Sequence, residues 1–159
     1  MKKVYLIRHA QPVLSGGTAL GTGLSDIPLG EQGRAQARKM AESLAPVTQV
    51  FSSPLRRAVQ TARAMGQPVT VLRDLRELQV GEWEGQADVC PARFRAAMDQ
   101  AARDARGDFA VVSHGVIISR FLQSLTGTPR RPDYAEVIPL LWENGSFRTV
   151  KEIQTAGNL

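Results

Sequence analysis

The chain of 159 residues has a single cysteine, Cys90. It can neither close an internal disulfide nor build a cysteine-rich metal site, and it suits a reducing compartment. Aromatics make up only 6% of the residues and do not interleave with basic side chains into a nucleic-acid-binding stripe, so nucleic acid is not an expected partner. No apolar run approaches the length that spans a bilayer, and no membrane partner is expected. The N-terminal run Val4–Ile7 stops at Arg8, too soon for a secretory signal, so a cytoplasmic location is expected. There is no internal repeat, low-complexity tract or linker-like stretch, and residues 1–159 are expected to form one domain. Histidine is scarce too: His9 and His114 are the only two, so the position of each is informative.

Hydrophobic residues at 43% and charged residues at 22% are ordinary for a globular chain and sufficient for a sizeable core. The net charge is +5, and arginine supplies most of the 20 basic residues. Arginine favours forked recognition of phosphate or carboxylate.

The patterning alternates strands and helices. Lys3–Ile7 reads as a buried strand, Glu31–Ala45 as a helix with Ala37, Met40, Ala41 and Leu44 on one face, and Val47–Ser52 as a second strand. "SSPLRRAVQTARAMG" reads as a helix capped by Ser53, with Pro54 at its first position and Gly66 at its end. Val69–Leu72 follows as a strand, Pro91–Arg106 as a helix, Asp108–Ser113 as a buried strand and Val116–Leu125 as a helix. Ser15–Ser25 reads as a Gly-rich flexible loop, and Gly127–Asp133 as a loop with two prolines. Two further strands, near Glu136–Trp142 and Ser146–Val150, are joined by the hairpin signal Asn144-Gly145. The pattern predicts an α/β protein: a three-layer α/β/α sandwich on a mostly parallel central sheet, with the C-terminal hairpin at one edge. That hairpin is also an edge on which another chain could pair, and oligomeric state is left open.

In such sheets, ligands bind at the C-terminal ends of the strands. His9 follows the first strand, Ser52-Ser53 the second, and His114 the "FAVVS" strand, so all three fall on one rim. Arg8 and His9 are neighbours, and an extended strand would send them to opposite faces. The strand must therefore end there if both are to serve the rim. Arg57 lies in the first turn of its helix, and His114 opens another helix. Helix N-termini attract anions. Two guanidinium forks, two imidazoles and helix amides suit a phosphate dianion. They suit a metal poorly: zinc takes three or four His, Cys or carboxylate ligands, and the arginines would repel it. No metal and no cofactor is expected.

"LIRHAQP", "SSPLRRAVQTA", "LRELQVGEWEG" and "VVSHG" resemble, in order, the four signature blocks of the histidine phosphatase superfamily, the phosphoglycerate-mutase-like proteins. "LSDIPLGEQGRAQA" resembles the stretch that links the first two blocks, and the likeness runs from about residue 2 to 118. It implies a phosphoglycerate-mutase-like fold. His9 would be the nucleophile that takes the phosphoryl group, Arg8 and Arg57 the clamp on its oxygens, and His114 a hydrogen-bond donor to them. Glu77 would protonate the leaving alkoxide, ahead of Glu82 and Glu84 in the same stretch. Gln11 and Ser15 are further candidates for substrate contact. Arg56 would be a solvated neighbour of Arg57.

The chain departs from the family at Ala10, where glycine is usual, and at Pro12, where threonine is common. If position 10 required positive φ, Ala10 would be strained. The segment between Glu77 and His114 holds about one helix, too little for the cap that covers the substrate in sugar-phosphate enzymes of the family. The resemblance implies a metal-independent phosphomonoester hydrolase acting through phosphohistidine. "GEWEG" is similar to broad phosphatases and α-ribazole phosphatases. The expected substrate is a small phosphate monoester, with phosphoprotein the larger alternative admitted by an open site. A phosphoglycerate-type mutase and a weakly active or non-catalytic phospholigand-binding domain are the competing readings.

Overall fold

A computed structural model describes residues 1–15, 18–19, 26–79, 82 and 89–150. Strand β1 (Lys2–Arg8) opens the chain, and a two-stranded ribbon follows, β2 (Leu14–Ser15) with β3 (Thr18–Ala19). Helix α1 (Glu31–Ser43), β4 (Gln49–Ser52), α2 (Arg56–Arg63), β5 (Val69–Val71) and a 3-10 turn (Arg73–Leu75) come next. Then follow α3 (Ala92–Asp104), β6 (Phe109–Ser113), α4 (Gly115–Thr126), β7 (Val137–Glu143) and β8 (Ser146–Thr149).

Six strands form the main sheet in the order β5-β4-β6-β1-β7-β8. The pairs β5/β4, β4/β6 and β6/β1 are parallel, whereas β7 runs antiparallel to β1, and β8 to β7. The α/β sandwich with a mixed hairpin edge is therefore present as the patterning predicts. Alternation along each strand serves two cores. Val4, Leu6, Phe51, Phe109 and Val111 pack with α3 and α4 residues such as Phe94, Met98, Ile118 and Phe121. Ile7, Val50, Ala110 and Val112 pack with Met40 of α1 and with Ala58 and Ala62 of α2. Strand β6 is buried on both faces throughout, as its unbroken apolar run requires. Asn144 (φ 54°) and Gly145 (φ 76°) both take the left-handed region, the signature of a type I′ turn, and join β7 to β8.

Two local readings need correction. The second helix starts at Arg56 rather than at Pro54, because Leu55 is still extended (ψ 143°) and Ser53 is not its cap. The cap comes from elsewhere: the Arg56 amide donates to Asp26 Oδ1 at 2.7 Å. The stretch read as a flexible loop from Ser15 carries the β2/β3 ribbon at its start; residues 16–17 and 20–25 lie outside the described set.

Candidate active site

The ends of β4, β6 and β1 lie side by side, with Ser52 opposite Val112 and Arg8 opposite Ser113. The ladder continues one step past the strands: the His9 amide donates to Ser113 O and the Ser53 amide to Val112 O, each at 3.0 Å. Strand register thus brings His9, Ser53 and His114 to one rim.

His9 is nearly buried, and its Nδ1 lies 2.7 Å from the Ala10 carbonyl oxygen. A carbonyl only accepts, so Nδ1 carries the proton and Nε2 holds the lone pair. Arg57 Nε donates toward that Nε2 at 3.4 Å. The His114 ring centroid is 5.0 Å from that of His9. His114 is fully enclosed, with Nε2 2.8 Å from Ser53 Oγ and Nδ1 without a partner among the described residues. Arg8 donates from Nη1 to the Pro132 carbonyl at 2.9 Å, while its Nε is buried and has no partner among the described residues. The structure therefore brings His9, Arg8, Arg57 and His114 together.

Burial pushes the His9 imidazole down to about 3; its bond to Ala10 opposes this, and Arg57 and Arg8 add to it. Burial also holds His114 well below its ordinary value, reinforced by His9, Arg57, Arg8 and Arg93. Both rings are neutral at pH 7. This has a sign for stability. The unfolded chain protonates both histidines near pH 6.5, whereas the folded chain does not, so acidification favours unfolding. His9 alone is expected to remove about 1.4 kcal/mol of stability per pH unit below about pH 6.5, and His114 acts in the same direction. Urea unfolding between pH 7 and 4.5 checks this. A midpoint unchanged over that range would contradict neutral burial of the histidines.

Glu77 is 7% exposed. Its Oε1 accepts from the amides of Leu78 (2.9 Å) and Ile117 (2.8 Å), and its Oε2 from that of Val116 (3.1 Å). It is thus the anchor of the α4 N-terminus, directly after His114. Arg93 holds the segment around it, donating to the carbonyls of Asp74, Arg76 and Glu77 at 2.9–3.0 Å. The same guanidinium forks onto both Glu82 oxygens at 2.8 Å and keeps that carboxyl below its ordinary value. Glu82 is therefore committed to Arg93, and Glu84 lies outside the described residues.

Gln11 is bonded to Gln36 of α1. Its amide donates to Gln36 Oε1 at 3.0 Å, and its side-chain oxygen accepts from Gln36 Nε2 at 3.4 Å. The helix is seated so closely that a Cβ on Gly33 would stand 2.0 Å from the Gln11 carbonyl oxygen. The side chain of Ser15 lies outside the described residues. Ala10 has no positive φ, so the strain that its departure from glycine would have implied is absent. It is fully buried against Leu29 and Ala37, and its amide donates to Thr61 Oγ1 at 3.0 Å. Arg56 is exposed and paired with Asp26 at 3.7 Å, apart from the rim.

Sequence reasoning missed Thr61, Tyr134 and Arg131. Tyr134 places its ring 4.1 Å beneath the Arg8 guanidinium carbon and 5.9 Å from the His9 ring. Among the described residues no group of three His, Cys, Asp or Glu side chains could hold a metal.

Comparison with known proteins gives this rim a context. The chain is 38% identical over 92 residues to a glucosyl-3-phosphoglycerate phosphatase of Mycolicibacterium vanbaalenii, covering 54% of this chain and 40% of that protein. It is 26% identical to phosphoglycerate mutase-like protein 4 of Arabidopsis thaliana, over 94% of this chain and 70% of the relative. The chain spans less than half the length of the first curated relatives it matches. Its fold matches the crystal structure of a phosphoglycerate mutase from Bacillus anthracis with a TM-score of 0.76, at 20% identity, covering 93% of this chain and 91% of that one. With the family model matching residues 4–90, the chain belongs to the histidine phosphatase superfamily, branch 1.

Proposed function

We propose that the protein is a metal-independent phosphomonoester hydrolase that works through phosphohistidine on His9. The observation that carries this is the His9 Nε2 lone pair, fixed by the Nδ1–H bond to Ala10 and faced by Arg57. The name of the Mycolicibacterium relative, a phosphatase, supports the same reading.

In this reaction Nε2 attacks phosphorus and the ester oxygen leaves. Arg8 and Arg57 neutralise the equatorial oxygens, and His114 donates to one of them. Charge neutralisation and alignment are most of what phosphoryl transfer needs. A phosphate oxygen would also satisfy Arg8 Nε, which is buried without a partner among the described residues. Glu77 protonates the leaving alkoxide. Three of its roughly four lone-pair sites are occupied by backbone amides, two on Oε1 and one on Oε2. The remaining site on Oε2 can carry the proton. Water then cleaves the P–N bond, restoring His9 and releasing phosphate, so one difficult step becomes two.

The test is a rapid quench of the wild-type protein with a 32P-labelled phosphomonoester in excess EDTA. The expected result is protein-bound label stable in base and lost in acid, the behaviour of a phosphoramidate. Acid-stable label would move the nucleophile to a hydroxyl such as Ser53. Turnover abolished by EDTA would end the metal-independent reading.

A further inference from the structure

Ser53 stands one step past β4, where its amide donates to Val112 O at 3.0 Å. Pro54 follows it and disfavours the helical region for its backbone. Asp26 caps α2 in its place, so the Ser53 hydroxyl is not spent on that helix start. Its Oγ lies 2.8 Å from His114 Nε2, and both side chains are buried.

The neighbours decide which atom of that pair carries the hydrogen. The Leu55 amide donates to Ser53 Oγ at 3.3 Å and takes one of its lone pairs. The hydroxyl hydrogen must go to an acceptor, and among the described residues the one within its reach is His114 Nε2. If Nε2 carried the proton instead, the buried hydroxyl would have no acceptor and Nδ1 would hold a buried lone pair with no donor. Two buried groups would go unsatisfied. With Ser53 donating, one is left: an Nδ1–H without a partner among the described residues. Burial keeps the His114 ring neutral, so it has a single N–H, and the place of that hydrogen decides what the ring can do. Arg8 Nε is likewise a buried donor without a partner among the described residues, and the His9 ring stands 5.0 Å from that of His114. Two such donors beside the nucleophile suit a group with several acceptor oxygens.

Resting on the hydrolase reading above, we infer that Ser53 is a positioning residue: its hydroxyl donates to His114 Nε2 and so sets the tautomer in which His114 donates from Nδ1 to the transferred phosphoryl group. In the other tautomer the ring would turn a lone pair toward the phosphate oxygens and repel them.

The chain has two histidines, so its ring nitrogens can be read one by one. Long-range 1H–15N correlation of the uniformly 15N-labelled protein near neutral pH reports which nitrogen of each ring is protonated, and His9→Ala assigns the signals. His114 is expected as the Nδ1–H tautomer in the wild type, with and without inorganic phosphate. An Nε2–H tautomer, or protons on both nitrogens, would overturn the proposal without recourse to any variant. In Ser53→Ala the Nε2–H form should appear, and kcat/KM for p-nitrophenyl phosphate should fall by about 10–100-fold as an aimed donor is lost. Ser53→Thr keeps a hydroxyl and should restore both the Nδ1–H form and most of the activity. Ser52→Ala is an equal truncation one residue away, of a hydroxyl that bonds the Ser53 carbonyl, and should leave the tautomer as it was. A Ser53→Ala protein that loses activity but keeps the Nδ1–H form would reduce Ser53 to packing and end the proposal, as would full activity with the tautomer changed. If the wild type shows no turnover, the hydrolase reading fails on its own. Titration with inorganic phosphate then decides: a Kd about tenfold weaker in Ser53→Ala, together with the changed tautomer, supports the inference, and an equal Kd ends it.

Discussion

His9→Ala is expected to lower turnover of p-nitrophenyl phosphate by at least about a thousandfold, because the step that makes the P–N bond disappears with the nucleophile. Nitrophenolate leaves without a proton, so this substrate isolates attack on phosphorus from the help given to the leaving group. The fold should survive the change. The His9 side chain bonds within its own turn, to the Ala10 carbonyl, and the backbone bond from His9 to Ser113 needs no side chain. The variant also carries a second readout. His9 stays neutral in the folded chain down to about pH 3 and is protonated in the unfolded chain near 6.5, so its removal should flatten the acid loss of stability by about 1.4 kcal/mol per pH unit. Phosphate binding through Arg8, Arg57 and His114 should persist. Activity within tenfold of the wild type would show that another group, or water directly, attacks phosphorus.

The rim was legible from sequence because its parts are local. A strand that ends in Arg-His, one that ends in Ser-Ser and one that ends in Ser-His state their own C-terminal ends, and parallel pairing does the rest. What was not legible depended on distant partners. Ser53 followed by Pro54 reads as a helix start by local chemistry, but its hydroxyl is claimed by His114, 61 residues away, and Asp26 supplies the cap instead. Gln11, a candidate for substrate contact, exchanges hydrogen bonds with Gln36 of α1, a partner that no local pattern announces. Tyr134 and Arg131 carry no motif; they reach the rim because β7 pairs with β1 and sets the preceding loop across its end. At Ala10 the sequence set a condition that only the backbone could answer: strain would follow from a positive φ, and that position has none, with Thr61 accepting from its amide.

Glu77 joins the two levels, and its substitutions should separate them. Glu77→Gln keeps a carbonyl oxygen for the Leu78 and Ile117 amides but sets an NH2 against the Val116 amide, so one half-buried donor loses its acceptor. That is expected to cost about 1–3 kcal/mol of stability, read from the urea midpoint. The glutamine cannot supply a proton. Hydrolysis of an alkyl phosphate, whose alkoxide must be protonated as it leaves, should fall by about 10²–10⁴-fold in kcat, while p-nitrophenyl phosphate should fall far less. A residue that only anchored the start of α4 would lower both substrates together, by displacing His114. Glu77→Ala tells the two roles apart from the other side. It abandons all three amides and should destabilise the protein more than Gln does, yet the ratio of rates on the two substrates should match that of the Gln variant, because that ratio reports the proton alone. Equal losses on both substrates in both variants would remove Glu77 from the chemistry and leave it as the anchor of α4.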